Sequence, residues 1–374
     1  MAGYDGQPAT PGPQSQWPQN PQPAPPPPYF SPGAPSGTGV PAAAPTSPPP
    51  KKSRRRRWVV LGVVVALAAI GGYGAWQESQ AYERGHTAYL AGDCPTAIDH
   101  FRAAGGGDTP SSSDSETTEK ARAELQECET YLAAGDLQAQ GMPAAALLAY
   151  RDFIVANPRS PLVNAAREKA IELAPAAAAA ATTELCDEIE PIESMSLLGT
   201  PPEVLPDLLF GCGQAYSEAT AWAEALVMYA RFRAEFPDHA LALDVERAFA
   251  AATLAEADAA GAGDLAPPPG FEGGASDVAT IVIVNDAPDP INIVFSGTEV
   301  RVEDIAPCPE CERFTVDPGE CPNAGPVVEY ELPPGTYTVV VKSGTSILTT
   351  PFRGTWELEA GFTYEHCFYI VTDG

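Results

Sequence analysis

Residues 146–158 read ALLAYRDFIVANP and residues 225–237 read ALVMYARFRAEFP. Ala146, Tyr150, Phe153 and Pro158 recur as Ala225, Tyr229, Phe232 and Pro237, each pair 79 residues apart. Residues three and four apart share one face of an α-helix, and a proline beyond them cannot continue it. Ala-rich helices are expected after each proline, over 160–173 and 239–251, and Ala176 to Ala181 between them is a strong helix former. A recurring helical unit buries its apolar face against its neighbours, so 77–260 is expected to be a stack of helical repeats.

These residues resemble tetratricopeptide repeats. Gly213, Tyr216, Ala225, Tyr229 and Pro237 match the family pattern best, and Gly85, Gly92, Ala97, Phe101 and Ala104 match it without the closing proline. The middle unit keeps Gly141, Ala146, Tyr150 and Pro158, with Ala134 in place of the first-helix glycine. Phe153 and Phe232 stand where the family usually has Ala, as in periplasmic repeats with a Tyr-x-x-Phe then Pro pattern. The resemblance covers roughly 180 residues and implies concave surfaces for peptides or partner helices.

Two segments interrupt the helices. Gly105 to Thr118 is Gly, Ser and acid and reads as a flexible loop, and Pro191 to Pro206 reads as a long connection. Residues 261–276, with Pro267 to Pro269, read as a linker. From Ala279 the period changes from helical to alternating. Thr280–Val284, Ile291–Phe295, Val300–Val302, Val327–Leu332, Thr336–Val341, Trp356–Leu358 and Phe362–Val371 read as short strands parted by Gly and Pro turns. The expectation for 277–374 is an antiparallel β-sandwich. Leu332-Pro333-Pro334-Gly335-Thr336-Tyr337 resembles the turn and strand of Ig-like and PEGA-type modules.

Upstream, residues 1–50 hold 17 of the 41 prolines and almost no charge, a composition that reads as a disordered cytoplasmic tail. Pro25 to Pro28 read as a spacer rather than a polyproline ligand. The basic cluster 51–57 (Lys51, Lys52, Arg54, Arg55, Arg56, Arg57) precedes 58–76, which carries no ionisable group and spans about 28 Å as a helix. With Trp58 at one end and Tyr73 and Trp76 at the other, it reads as a transmembrane helix with a cytoplasmic N-terminus. The expected fold class is therefore multidomain α+β: disordered tail, single transmembrane helix, tetratricopeptide-like stack and C-terminal antiparallel β-sandwich. The location that follows is a cell membrane, single-pass, with an extracytoplasmic ectodomain.

All eight cysteines (Cys94, Cys128, Cys186, Cys212, Cys308, Cys311, Cys321, Cys367) follow that segment, as an oxidising compartment permits. Cys94 with Cys128 and Cys186 with Cys212 is the pairing we put forward for the helices, each loop worth roughly 3 kcal/mol on the chain-entropy model. Cys308, Cys311, Cys321 and Cys367 admit three readings: two disulfides pinning the loop 306–324, a four-thiolate zinc site, or a redox pair at Cys308-Pro-Glu-Cys311. We carry the disulfides forward, because no second Cys-x-x-Cys and no thioredoxin-like context accompanies them.

Of 21 Lys and Arg, 15 lie beyond residue 76, against 48 of the 49 Asp and Glu. That excess argues against nucleic acid as a partner. His86, His100, His239 and His366 are scattered, and Asn285, Asp286 and Asp289 form an oxygen-rich loop that reads as a turn before it reads as a calcium site. No Gly-x-Ser-x-Gly, phosphate loop, dinucleotide fingerprint or His-Glu-x-x-His is present. No catalytic, cofactor-binding or metal residue is assigned, and no cofactor is expected. The expected function is that of a membrane-anchored envelope scaffold or adaptor that binds a protein partner without turnover. The alternative is a single-pass sensor whose β domain takes a carbohydrate or small ligand through Trp356 or Tyr364.

Overall fold

The structure, a computed structural model, describes residues 76–105, 107, 115–316, 318–344 and 350–371. The tail 1–50, the basic cluster 51–57 and all of the span 58–76 except Trp76 lie outside them. The helices are α1 (76–90), α2 (Cys94–Ala103), α3 (Glu116–Ala139), α4 (Pro143–Ala156), α5 (Val163–Ala179), α6 (Thr183–Cys186), α7 (Ile189–Ser194), α8 (Leu205–Glu218), α9 (Trp222–Glu235) and α10 (Ala242–Ala259).

Local chemistry sets their ends. The Asp93 carboxylate accepts the Thr96 N–H at 3.2 Å, and His100 and Arg102 sit in the last turn of α2, where the helix dipole favours positive charge. Ser115 caps α3 in the same way through the Thr118 N–H, at 3.1 Å. Ala97, Ala146 and Ala225 are fully buried, and Phe101, Tyr150, Tyr229, Phe153 and Phe232 are buried with them. Small residues let the helices approach while the rings fill the space between them. Gly213 does the same on α8, where a Cβ would lie 2.2 Å from the Tyr229 ring.

The 79-residue interval between α4 and α9 holds α5, α8 and the irregular pair α6–α7. The Pro191–Pro206 stretch is thus helical in part, and Ile189, Ile192, Leu197 and Leu198 bury into the stack. Three arginines hold this insertion. Arg151 on α4 pairs with Glu188, Arg167 on α5 donates to the Met195 carbonyl, and Arg231 on α9 grips both oxygens of Glu193 at 2.8 and 2.9 Å. Disulfides join Cys94 to Cys128 and Cys186 to Cys212.

The C-terminal strands are β1 (Gly263–Asp264), β2 (Gly270–Glu272), β3 (Ala279–Asn285), β4 (Ile291–Ser296), β5 (Val300–Ile305), β6 (Val327–Leu332), β7 (Gly335–Ser343), β8 (Phe352–Leu358) and β9 (Phe362–Phe368). They form two sheets around one core, ordered β1-β8-β7-β4-β5 and β2-β9-β3-β6.

Two corrections to the expected fold class follow. The sheets are mixed, not antiparallel: β3 runs parallel to β9 with Thr280 opposite Thr363, and β1 runs parallel to β8. Among the described residues no helix is long and apolar enough to cross a membrane, and the fold class they show is helices followed by a mixed-sheet domain. The stretch read as a linker, 261–276, supplies β1 to one sheet and β2 to the other.

The two parts share a core. Residues 291–295 of β4 are all buried, because Ile291, Ile293 and Phe295 face the second sheet while Val294 joins the helical core with Val302. A strand covered on both faces loses the alternation of a half-exposed one. Arg233 on α9 reaches Asp304 at 3.2 Å, Lys342 on β7 meets Glu256 of α10 at 2.6 Å, and Arg353 on β8 pairs with Asp258.

Candidate functional site

Two places gather polar and aromatic groups. The first is the α1–α3 face. Tyr82, His86 and Tyr89 lie at helical spacing on α1, above Glu124 and Glu127 of α3. The Tyr82 hydroxyl donates to Glu124 at 3.0 Å, the His86 Nδ1 meets the same carboxylate at 2.9 Å, and the Tyr89 hydroxyl donates to Glu127 and lies 3.0 Å from the Ser160 hydroxyl. The Tyr82 and His86 rings stack with centroids 5.6 Å apart. Burial, then the Glu124 carboxylate, pushes the Tyr82 phenol up to about 12, and burial with Glu127 pushes Tyr89 up as well. Both phenols stay protonated and donate to the Glu124 and Glu127 carboxylates, tying α1 to α3.

The second is one end of the β domain. Alternate residues of the strands point between the sheets. At the closed end Phe295 packs on Tyr330, Tyr337 and Trp356 with centroids 5.6, 6.4 and 5.8 Å away. At the other end the core gives way to a cleft of about 1020 Å³ walled by Leu265, Ile291, Val341, Phe352, His366 and Phe368. Charged groups edge it: Arg313 donates to Asp289 at 2.9 Å, and Lys342 is held by Glu256, while Asp264 and Glu320 add negative charge. His366 lies between Trp356, 5.8 Å away, and Phe368, 4.7 Å away. Burial pushes its imidazole below the ordinary range, so it is neutral at neutral pH.

The loop beside this cleft is held by covalent and polar ties. Disulfides join Cys308 to Cys311 and Cys321 to Cys367. The zinc reading is thereby corrected, since all four sulfurs are spent in S–S bonds. The Asp286 carboxylate accepts backbone N–H groups from Asn323, Ala324 and Gly325 at 3.1, 2.7 and 2.8 Å. Gly325 permits that approach, because a Cβ there would lie 1.8 Å from the Asn285 carbonyl. The Asn285 amide donates to the carbonyls of Asp289 and Ala306 at 3.0 and 2.8 Å. The oxygen-rich loop is an anchor for backbone donors.

Trp356 and Tyr364, the residues expected to meet a ligand, are 0% and 7% exposed and belong to the core. Phe352, Phe368 and Leu265 line the cleft instead. Leu265 was hidden by the linker reading, and Phe352 by a strand expected to start at Trp356. His366 and Cys367 point to opposite faces, one to the cleft and the other to Cys321. His86 belongs to the α1–α3 face, His100 lies in the last turn of α2, and His239 meets the Phe232 ring edge-on at 5.6 Å. Among the described residues no three His, Cys, Asp or Glu side chains are grouped to hold a metal ion.

No family model and no curated protein matches this chain. Four disulfides place the described residues in an oxidising environment, extracytoplasmic or secreted.

Proposed function

We propose that the protein is a non-catalytic adaptor of a bacterial cell envelope, in which helical repeats of the tetratricopeptide kind hold a protein partner. What supports the reading is the double use of α10: it closes the helical stack and also seats β4, β5 and β7, so the two parts form one rigid support. Recognition of this sort needs a fixed surface and no reacting group. The α1–α3 face, with Glu124 and Glu127 under aromatic rings, is the surface assigned to the partner.

Photocrosslinking groups at exposed Thr87 and Gln126 test this in cells that express the full chain. The expected result is one discrete crosslinked protein from both positions, weakened by E124Q with E127Q, and none from Glu357 on the outer face of β8. Absence of a discrete product from the helical positions, or equal products from Glu357, contradicts the reading.

A further inference from the structure

We infer that the open end of the β domain is a binding site for an uncharged aromatic small molecule. The inference stands apart from the adaptor reading, since it concerns the cleft between the sheets and not the helical face.

Size and preformation come first. About 1020 Å³ is at the upper end of small-molecule sites. An unsupported apolar cleft of that size would collapse onto its own walls. This one is held open from outside. Cys321–Cys367 and the Asp286 carboxylate fix the loop on one side, while Lys342–Glu256 and Arg353–Asp258 tie the strands of the other wall to α10. Phe352 remains 47% exposed there, a large apolar ring left in water at the mouth of a concavity.

The lining then selects the ligand. Leu265, Ile291 and Val341 supply aliphatic walls, and Phe352 and Phe368 supply rings against which a flat molecule stacks. An anionic ligand would lose its hydration among these groups with no counter-charge in return. Arg313 and Lys342, the two cations at the edge, are already paired with Asp289 and Glu256. The remaining charges, Asp264 and Glu320, are both negative and repel an anion. The neutral imidazole of His366 offers one donor and one acceptor nitrogen to a hydroxyl or amide on the ligand.

The test uses the full chain and the uncharged probe N-phenyl-1-naphthylamine, with its anionic relative 8-anilinonaphthalene-1-sulfonate as comparison. The expected result is saturable fluorescence at a single site, weakened about tenfold or more by F352A through the lost stacking contact and unchanged by F271A, an exposed phenylalanine elsewhere. The sulfonate should bind at least about tenfold more weakly, because its charge must be desolvated. Non-saturable uptake, indifference to F352A, or equal binding of the sulfonate overturns the inference. If F352A does not fold, labelling of the unaltered protein with uncharged benzophenone decides it. Label on peptides containing Phe352 or Phe368 supports the site, and label confined to other peptides overturns it.

Discussion

At the scale of single residues, the C-terminal loop depends on Asp286, which is almost fully buried and accepts three backbone N–H groups. Hydrogen bonds to a charged group are worth about 1.5–3 kcal/mol each in mutational terms, and losses within one network are not additive. D286A should therefore lower stability by about 3 kcal/mol and D286N by less, read from urea unfolding midpoints. His366 gives a pH signature of known sign. Burial holds its folded pKa below the ordinary 6.5, so the unfolded chain binds the proton more readily. Its contribution is fully present above about pH 6.5 and is lost as pH falls from there toward the depressed folded value. Between pH 7.5 and 5, H366Q should lose less stability than the native protein, and an equal or steeper loss would contradict the buried neutral imidazole. Neither residue's role was visible in the sequence. Asp286 stood in a run of oxygen-bearing residues typical of a turn, and nothing local announces donors that come from residues 323–325.

At the scale of elements, Gly213 decides between helix propensity and packing. Alanine in a helix interior is favoured over glycine by about 1 kcal/mol. Yet its Cβ would meet the Tyr229 ring at 2.2 Å, and overpacking costs about 1–3 kcal/mol. Packing wins, so G213A should lower the thermal midpoint despite its better propensity. A rise in that midpoint would show that Tyr229 can move aside. The matching positions of α4 and α9 and most strands were legible because their residues alternate with the period of their own element. What escaped had no period of its own. The α6–α7 insertion is held by Arg151, Arg167 and Arg231 from other helices, and β1 and β2 are too short to carry a pattern. Strand direction escaped as well. The parallel pairing of β3 with β9 joins residues more than 80 positions apart, and alternation is the same in either direction.

At the scale of the molecule, the helical stack and the β domain form one body through α10. Val294 and Val302 belong to the helical core although they lie on strands, and three ion pairs bracket the contact. This too was unreadable from local pattern: the unbroken burial of β4 suits a strand with any cover on both faces and does not name the helix that covers it. Ion pairs at a partly exposed seam add about 0–1 kcal/mol each, so the apolar contact carries most of the coupling. The most direct measurement is equilibrium urea unfolding of the full chain, followed by far-ultraviolet circular dichroism for the helices and by hydrogen exchange of residues 279–343 for the β domain, in the native protein and in V294D. One body predicts coincident transitions in the native protein, and in V294D, where a carboxylate is buried against α10, a separation in which one part unfolds before the other. Two separate transitions in the native protein, or coincident ones that V294D leaves unmoved, would contradict it.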